Sequence, residues 1–317
     1  MDFALTDDQQ LLMTAFDGLL QRYRDPPQGV HGYVAYSAAF QQELLDGGFL
    51  EIAAQPGFGL LEAALLTEAA AACPVGVEAA AAMMIGPQIG GCAGPVALAW
   101  QTGRPVRYLA EAESVCLIDG DTVTVGRPAA ADIEMLDSVA AYPMARLRKL
   151  PSESRRIAGS AAAAIRRRAL IGIAAEAAGL MRGALDNTVR YVKERQQFGQ
   201  PLGHFQAIQH RLAEDAQIVQ ACRLMALRAA DADCERLAAI ACLYAQDTMR
   251  KVITDCHQFS GAMGLTLEFP LHLWTYRLKV LQGEAGGRAA QARLLARHQW
   301  AETPETSVKH ERLEEVS

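Results

Sequence analysis

The chain has 317 residues, 51% of them apolar and only 6% aromatic, so it can bury a large core, and its abundant alanine favours close-packed helices. A net charge of −6 gives no electrostatic reason to bind nucleic acid or an anionic membrane surface. The acidic start lacks a signal-peptide pattern, no apolar run is free enough of charge to span a bilayer, and seven scattered cysteines lack metal-ligand spacing; a cytoplasmic protein with reduced thiols and no metal is expected.

Residues 1–92 are expected to form an N-terminal helical domain. Thr6-Asp7-Asp8-Gln9 is a helix N-cap signal ahead of Leu11, Leu12, Phe16, Leu19 and Leu20 at helical spacing, and Pro26-Pro27-Gln28-Gly29 ends that element. A second helix is expected over 37–45, stopped by Gly47-Gly48. An alanine-rich pair over 60–72 and 76–84 hinges at Cys73-Pro74. These segments carry no polar cluster fit for chemistry, so packing is their expected role.

Residues 93–151 change character and read as a small β domain. Segments 95–100, 106–109, 114–118 and 122–125 are short and β-prone, with Asp119-Gly120-Asp121 as a hairpin signal. Met135-Leu136, Val139-Ala140 and 145–147 are further strand candidates. No Gly-x-Gly-x-x-Gly, phosphate-loop or Gly-x-Ser-x-Gly motif occurs there.

From Ser152 to residue 301 helix is expected again, as an antiparallel four-helix-bundle-like domain. Leu170, Ile173, Ala177, Leu180, Ala184, Thr188 and Tyr191 mark one face of a long helix ending near Arg195. A second helix starts near Phe205 and a third near Arg236; an irregular stretch follows over 258–264, then helices over 271–281 and 288–300. Residues 302–317 form a charged tail. The break at Phe198-Gly199-Gln200-Pro201 gathers Arg195, Gln197, Phe198, Phe205 and Gln206, a set able to hold a phosphate and a flat aromatic group, or simply to close a helical corner.

Arg195-x-Gln197-Phe198-Gly199-x-Pro201, followed by Phe205-Gln206, resembles a signature of the acyl-CoA dehydrogenase family. His257-Gln258-x-x-Gly261-x-x-Gly264, followed by Glu268-Phe269-Pro270, is similar to its Gln-x-x-Gly-Gly-x-Gly…Glu-Tyr-Pro block. The resemblance implies that family's order of helical domain, β domain and helical bundle, and FAD-dependent removal of two hydrogens from an acyl-CoA. It implies that Arg195 contacts the FAD pyrophosphate, with Gln197, Phe198 and Gln206 beside it, and that Gln258, Gly261 and Gly264 meet the ADP-ribose portion, in trans across a subunit interface. An electron-transfer flavoprotein is the kind of acceptor implied.

Three departures shape the expectation. The β domain is reduced and lacks the family's Thr-Glu-Pro…Gly-Ser-Asp segment and Trp-Ile-Thr strand, and Trp100-Gln101-Thr102 offers no substitute. The usual glutamate base falls on Ala285, so Glu284, one residue earlier, is the candidate catalytic residue; the alternative base position falls on Ala169. The N-terminal region is trimmed. The chain therefore resembles the short subunit of heteromeric (α2β2) actinobacterial steroid-degrading acyl-CoA dehydrogenases, with a longer partner completing the FAD site and supplying the base. A non-catalytic stabilising subunit and a self-sufficient enzyme using Glu284 are the alternatives. Arg166-Arg167-Arg168 could steer CoA phosphates or be a solvated helix start; His204, His257, Trp274 and Tyr276 carry only weak signals.

Overall fold

The computed structural model describes residues 4–27, 33–90 and 94–301; the expected tail and the Gln28-Gly29 part of the first helix stop lie outside them. The N-terminal helices are α1 (Asp7–Leu20), α2 (Ala38–Asp46), α3 (Leu60–Ala71) and α4 (Ala80–Ile85). The expected N-cap is a full capping box: the Gln9 N–H donates to Thr6 Oγ1 at 3.3 Å and the Thr6 N–H to Gln9 Oε1 at 3.0 Å. α3 is apolar nearly all round and buried on every side, the pattern of a central helix.

Seven strands follow: β1 (Val96–Ala99), β2 (Pro105–Arg107), β3 (Ser114–Asp119), β4 (Thr122–Gly126), β5 (Ile133–Leu136), β6 (Met144–Leu147) and β7 (Ser154–Ala158). They form two sheets, ordered β1-β3-β4-β7 and β2-β6-β5, with β1 parallel to β3 and all other pairs antiparallel. β1 and β3 are buried on both faces, which accounts for their unbroken apolar runs. Ala97, Ala99, Val115 and Leu117 meet Val106, Ala145 and Leu147 of the second sheet, while the alternate residues Val96, Leu98, Cys116 and Ile118 join the helical core.

Two expectations are corrected here. Helix was expected from Ser152, but 154–158 is β7, whose alternating side chains pair with β4; its three charged or polar residues face solvent, so it carries little apolar signal. Val139-Ala140 is not a strand and lies in the connection from β5 to β6.

The bundle comprises α5 (Gly159–Glu194), the two-residue strands β8 (Gln196–Gln197) and β9 (Gln200–Pro201), α6 (Gln206–Ala232), α7 (Glu235–Ser260), α8 (His272–Leu281) and α9 (Gly287–Ala301). At 36 residues α5 is about 54 Å long and runs through the middle of the molecule, touching α3, α4, α6, α7 and α8. Its approach to α3 is close because Gly179 and Gly183 stand at the crossing: a Cβ on Gly179 would lie 2.9 Å from the Ala71 methyl and nearer still to the Glu68 carbonyl. Trp274 and Arg277 of α8 finish α3, donating to the Ala72 carbonyl at 2.9 Å and the Cys73 carbonyl at 2.8 Å. Both residues therefore serve packing.

The N-terminal helices hold more polar structure than expected. Glu78, fully buried ahead of α4, accepts backbone N–H bonds from Ala81 (2.7 Å), Ala82 (3.2 Å) and, across to β1, Val96 (3.0 Å). Burial pushes its carboxyl up to about 7 despite those donors. Between its ordinary value and about 7 the folded chain retains a proton that the unfolded chain releases. Its contribution to stability is thus whole below the ordinary carboxylate value and falls as pH rises towards 7, by an amount on the order of 3 kcal/mol. Urea unfolding at stepped pH should show this slope, and Glu78→Gln should flatten it; an unchanged slope in the variant would assign the pH dependence elsewhere.

Candidate functional site

The two sequence motifs meet at one end of the bundle, because α5 and α7 finish there and α6 starts there. The Arg195 N–H caps α5 by donating to the Tyr191 carbonyl at 2.9 Å, and its own carbonyl accepts from the Leu202 N–H at 2.9 Å. Its guanidinium is exposed, and among the described residues no carboxylate pairs with it. β8 and β9 form a minimal hairpin whose turn residues Phe198 and Gly199 both have positive φ, 55° and 81°. Glycine adopts that backbone freely; phenylalanine does so only under strain. Phe198 is also 86% exposed and meets Phe205 edge-on, with ring centroids 6.1 Å apart. Gln197 and Gln206 are exposed beside it, Gln206 as the first residue of α6.

The second motif was expected to be irregular from Gln258, but α7 continues through Ser260, so Gln258 is a helical, exposed residue of the last turn. Gly261 ends the helix at φ 57°, ψ −143°, open only to glycine. Gly264 is buried where a Cβ would come within 2.8 Å of Ser260 Cβ. Two contacts lock the motifs together: Tyr191 packs edge-on against Phe269 at 5.1 Å, and Arg211 of α6 pairs with Asp255 while lying 4.9 Å over the Phe259 ring. Leu265, 77% exposed, adds apolar surface to the same end. All seven expected cofactor-binding residues therefore share one end of the bundle, Gly264 buried within it, that offers solvent a guanidinium, primary amides and an exposed aromatic ring.

Glu284 belongs to a different centre. It lies in the turn between α8 and α9, and far from being an exposed turn carboxylate its side chain is only 11% exposed. Its Oε1 accepts from Arg107 Nε at 2.7 Å; Arg107 Nη1 in turn donates to both Glu176 oxygens at 2.8 and 2.7 Å, and the Tyr142 hydroxyl donates to Glu176 at 2.8 Å. Gln246 holds the turn by donating to the Leu281 and Glu284 carbonyls, each at 2.9 Å. One buried cation thus stands between two buried carboxylates, joining β2, α5 and the α8–α9 turn. Burial raises the Glu284 carboxyl, against the pull of Arg107 and with the repulsion of Glu176. Among the described residues Glu284 Oε2 has no hydrogen-bond partner.

Glu284 also lines a cavity of about 430 Å³ between sheet and bundle, with Trp100, Arg104 and Met144 among its walls. A second cavity of about 360 Å³ adjoins it through Trp100 and Ala285 and is edged by Arg166, Arg293 and Arg297. Among the described residues the Trp100 indole N–H has no hydrogen-bond partner. Ala169 is buried and carries no function for a base. The arginine run is committed: Arg166 to Asp121 at 3.0 Å, Arg167 and Arg168 to Asp233 at 2.6 and 2.9 Å. His257 bonds Thr275 at 3.0 Å, and His204 is exposed. Among the described residues no cluster suits a metal ion, and no helix is long and apolar enough to cross a membrane.

Arg107, Glu176 and Tyr142 were not singled out from sequence. A signal existed for two of them: Arg107 interrupts a β-prone run, and Glu176 is a lone charge in the alanine-rich middle of α5.

Residues 166–299 match the family model described as acyl-CoA dehydrogenase, C-terminal domain. Probable acyl-CoA dehydrogenase FadE25 of Mycobacterium tuberculosis is 35% identical over 131 residues, 39% of this chain and 34% of the relative; the chain thus spans about a third of the length of the curated relatives it matches. In structure the chain is similar to the ChsE4–ChsE5 complex from M. tuberculosis, with a TM-score of 0.78 at 22% identity over 96% of this chain and 100% of that one. It is also similar to the Tcur3481–Tcur3483 steroid ACAD G363A variant, with a TM-score of 0.72 at 20% identity over 92% and 97%. At these identities the structural likeness speaks for the fold.

Proposed function

We propose that this chain, whose residues 166–299 match the acyl-CoA dehydrogenase C-terminal domain, is a subunit of an FAD-dependent acyl-CoA dehydrogenase, contributing the trans half of a flavin site shared with a longer partner. The observation that carries this is the exposed end around Arg195, where an unpaired guanidinium, three amides and the strained, 86% exposed Phe198 converge from two distant motifs. Such donors fit a diphosphate and such a ring fits an adenine face. When bound, FAD accepts the hydride from the substrate's β carbon. Arg195 would neutralise and orient the diphosphate, Gln197, Gln206 and Gln258 would fix its neighbours, and Gly261 and Gly264 would admit backbone at close range. The catalytic base comes from the partner, because Glu284 is tied to Arg107 at 2.7 Å and freeing it would break a buried ion pair. A bulky, steroid-derived acyl-CoA is the substrate class, a reading supported by the likeness to a steroid ACAD, and an electron-transfer flavoprotein is the acceptor, supported by the likeness to a structure described as an electron transferring flavoprotein of Acidaminococcus fermentans.

Purified with its co-purifying partner, the Arg195→Ala protein should hold FAD about tenfold or more less tightly, the loss of a charge-assisted contact. Unchanged FAD retention would remove the shared site and leave a stabilising, non-catalytic subunit. A second reading, a self-sufficient enzyme with Glu284 as base, is favoured by the unpartnered Oε2, the raised carboxyl and the adjoining cavity. It requires the lone chain to bind FAD and oxidise acyl-CoA, and Glu284→Gln to cut that turnover by about 10²-fold or more. Turnover that survives Glu284→Gln eliminates it.

A further inference from the structure

A separate cleft lies between α1, α3, α5 and α8, with a volume of about 390 Å³, within the range of small-molecule sites. None of its residues belongs to the Arg195 end or to the Glu176–Arg107–Glu284 centre, so it stands apart from the reading above. Its rim carries Arg24, Arg182 and Arg190 together with Asp17 and Asp186, and its deeper wall is apolar, with Leu20, Ala69 and Trp274. Arg24 pairs with Asp17 at 3.2 Å. Arg182 reaches Glu68 at 3.3 Å, but Glu68 is already held by Arg223 at 2.9 Å. Among the described residues no carboxylate pairs with Arg190. Three guanidinium groups and two carboxylates thus line the cleft, leaving one positive charge in excess.

A second observation points the same way. Asn187 lines the cleft, is only 6% exposed, and among the described residues its amide nitrogen has no hydrogen-bond partner. A buried amide donor without an acceptor is costly, and the large majority of such groups in folded proteins are satisfied. An excess guanidinium beside an unspent amide donor, over an apolar wall, suits an oxyanion carried on a short apolar body. We propose that this cleft binds a small anion with a carboxylate or phosphoryl head and a compact hydrocarbon tail.

Isothermal titration of the full chain with butyrate, glycerol 3-phosphate and inorganic phosphate tests this. Saturable binding of butyrate or of glycerol 3-phosphate is expected, weakening as salt is raised. The preferred probe assigns the head group as carboxylate or phosphoryl. Arg190→Ala should weaken that binding about tenfold or more, Arg190→Lys by less, and Asn187→Ala should weaken it while leaving the thermal midpoint without ligand unchanged or higher. No saturable binding of any probe would overturn the proposal. Binding that is identical in Arg190→Ala and Asn187→Ala would overturn it equally, since the probe would then sit elsewhere as an adventitious ion only.

Discussion

Arg107→Ala should lower the free energy of unfolding by about 3–5 kcal/mol, among the largest losses of any single polar side chain in this protein. The substitution leaves the Glu176 and Glu284 carboxylates buried without their cation, and among the described residues the Tyr142 hydroxyl is the remaining side-chain donor to Glu176. It also cuts the Glu176–Arg107–Glu284 link that joins β2 to α5 and to the α8–α9 turn. The magnitude comes from the stranded charges, which sets a test of the cause. Arg107→Leu combined with Glu176→Gln and Glu284→Gln should recover much of the loss, because no charge then remains to be desolvated. Urea unfolding midpoints measure both. A loss under about 1 kcal/mol for Arg107→Ala would mean that water reaches the carboxylates and that the centre is open.

Gly179→Ala should destabilise by about 3 kcal/mol, at the upper end for a single added methyl group. Alanine is the better helix former by about 1 kcal/mol, so propensity alone predicts the opposite sign. Packing decides: the new methyl would meet the Ala71 side chain at 2.9 Å and the α3 backbone at Glu68 more closely still, and neither is the free end of a flexible chain. Gly18 in α1 is the control. It has nothing within 4 Å of a built Cβ, so Gly18→Ala should stabilise by about 0.5–1 kcal/mol. Thermal unfolding of the pair measures both signs. If Gly179→Ala also stabilises, α3 and α5 do not approach as closely as the crossing indicates.

Much of the architecture was legible because it is local. The capping box at Thr6, the Gly47-Gly48 stop, the hairpin at Asp119-Gly120-Asp121, the end of α5 at Arg195 and the start of α6 at Gln206 all appear where short-range rules put them. β7 escaped because an edge strand of Ser, Arg and Arg has no apolar alternation to read, and Gln258 was placed in a bend because glycine spacing marks where a helix can end, not where it does. The missed residues share one cause. Arg107 and Glu176 are 69 positions apart and Arg107 and Glu284 are 177 apart, so no periodicity links them.

The sequence by itself determined the order of helical, β and helical regions, the two motifs with Arg195, Gln197, Phe198, Gln206, Gln258, Gly261 and Gly264, and the family they resemble. Those are properties of neighbouring residues and of fixed spacing. Tertiary structure alone decided that both motifs share one exposed end, that Phe198 stands in solvent on a strained turn, and that Glu284 is buried against Arg107. A carboxylate's chemistry depends on what desolvates it and which charge reaches it, and the charges that reach Glu284, Arg107 and Glu176, lie more than a hundred residues away in the chain.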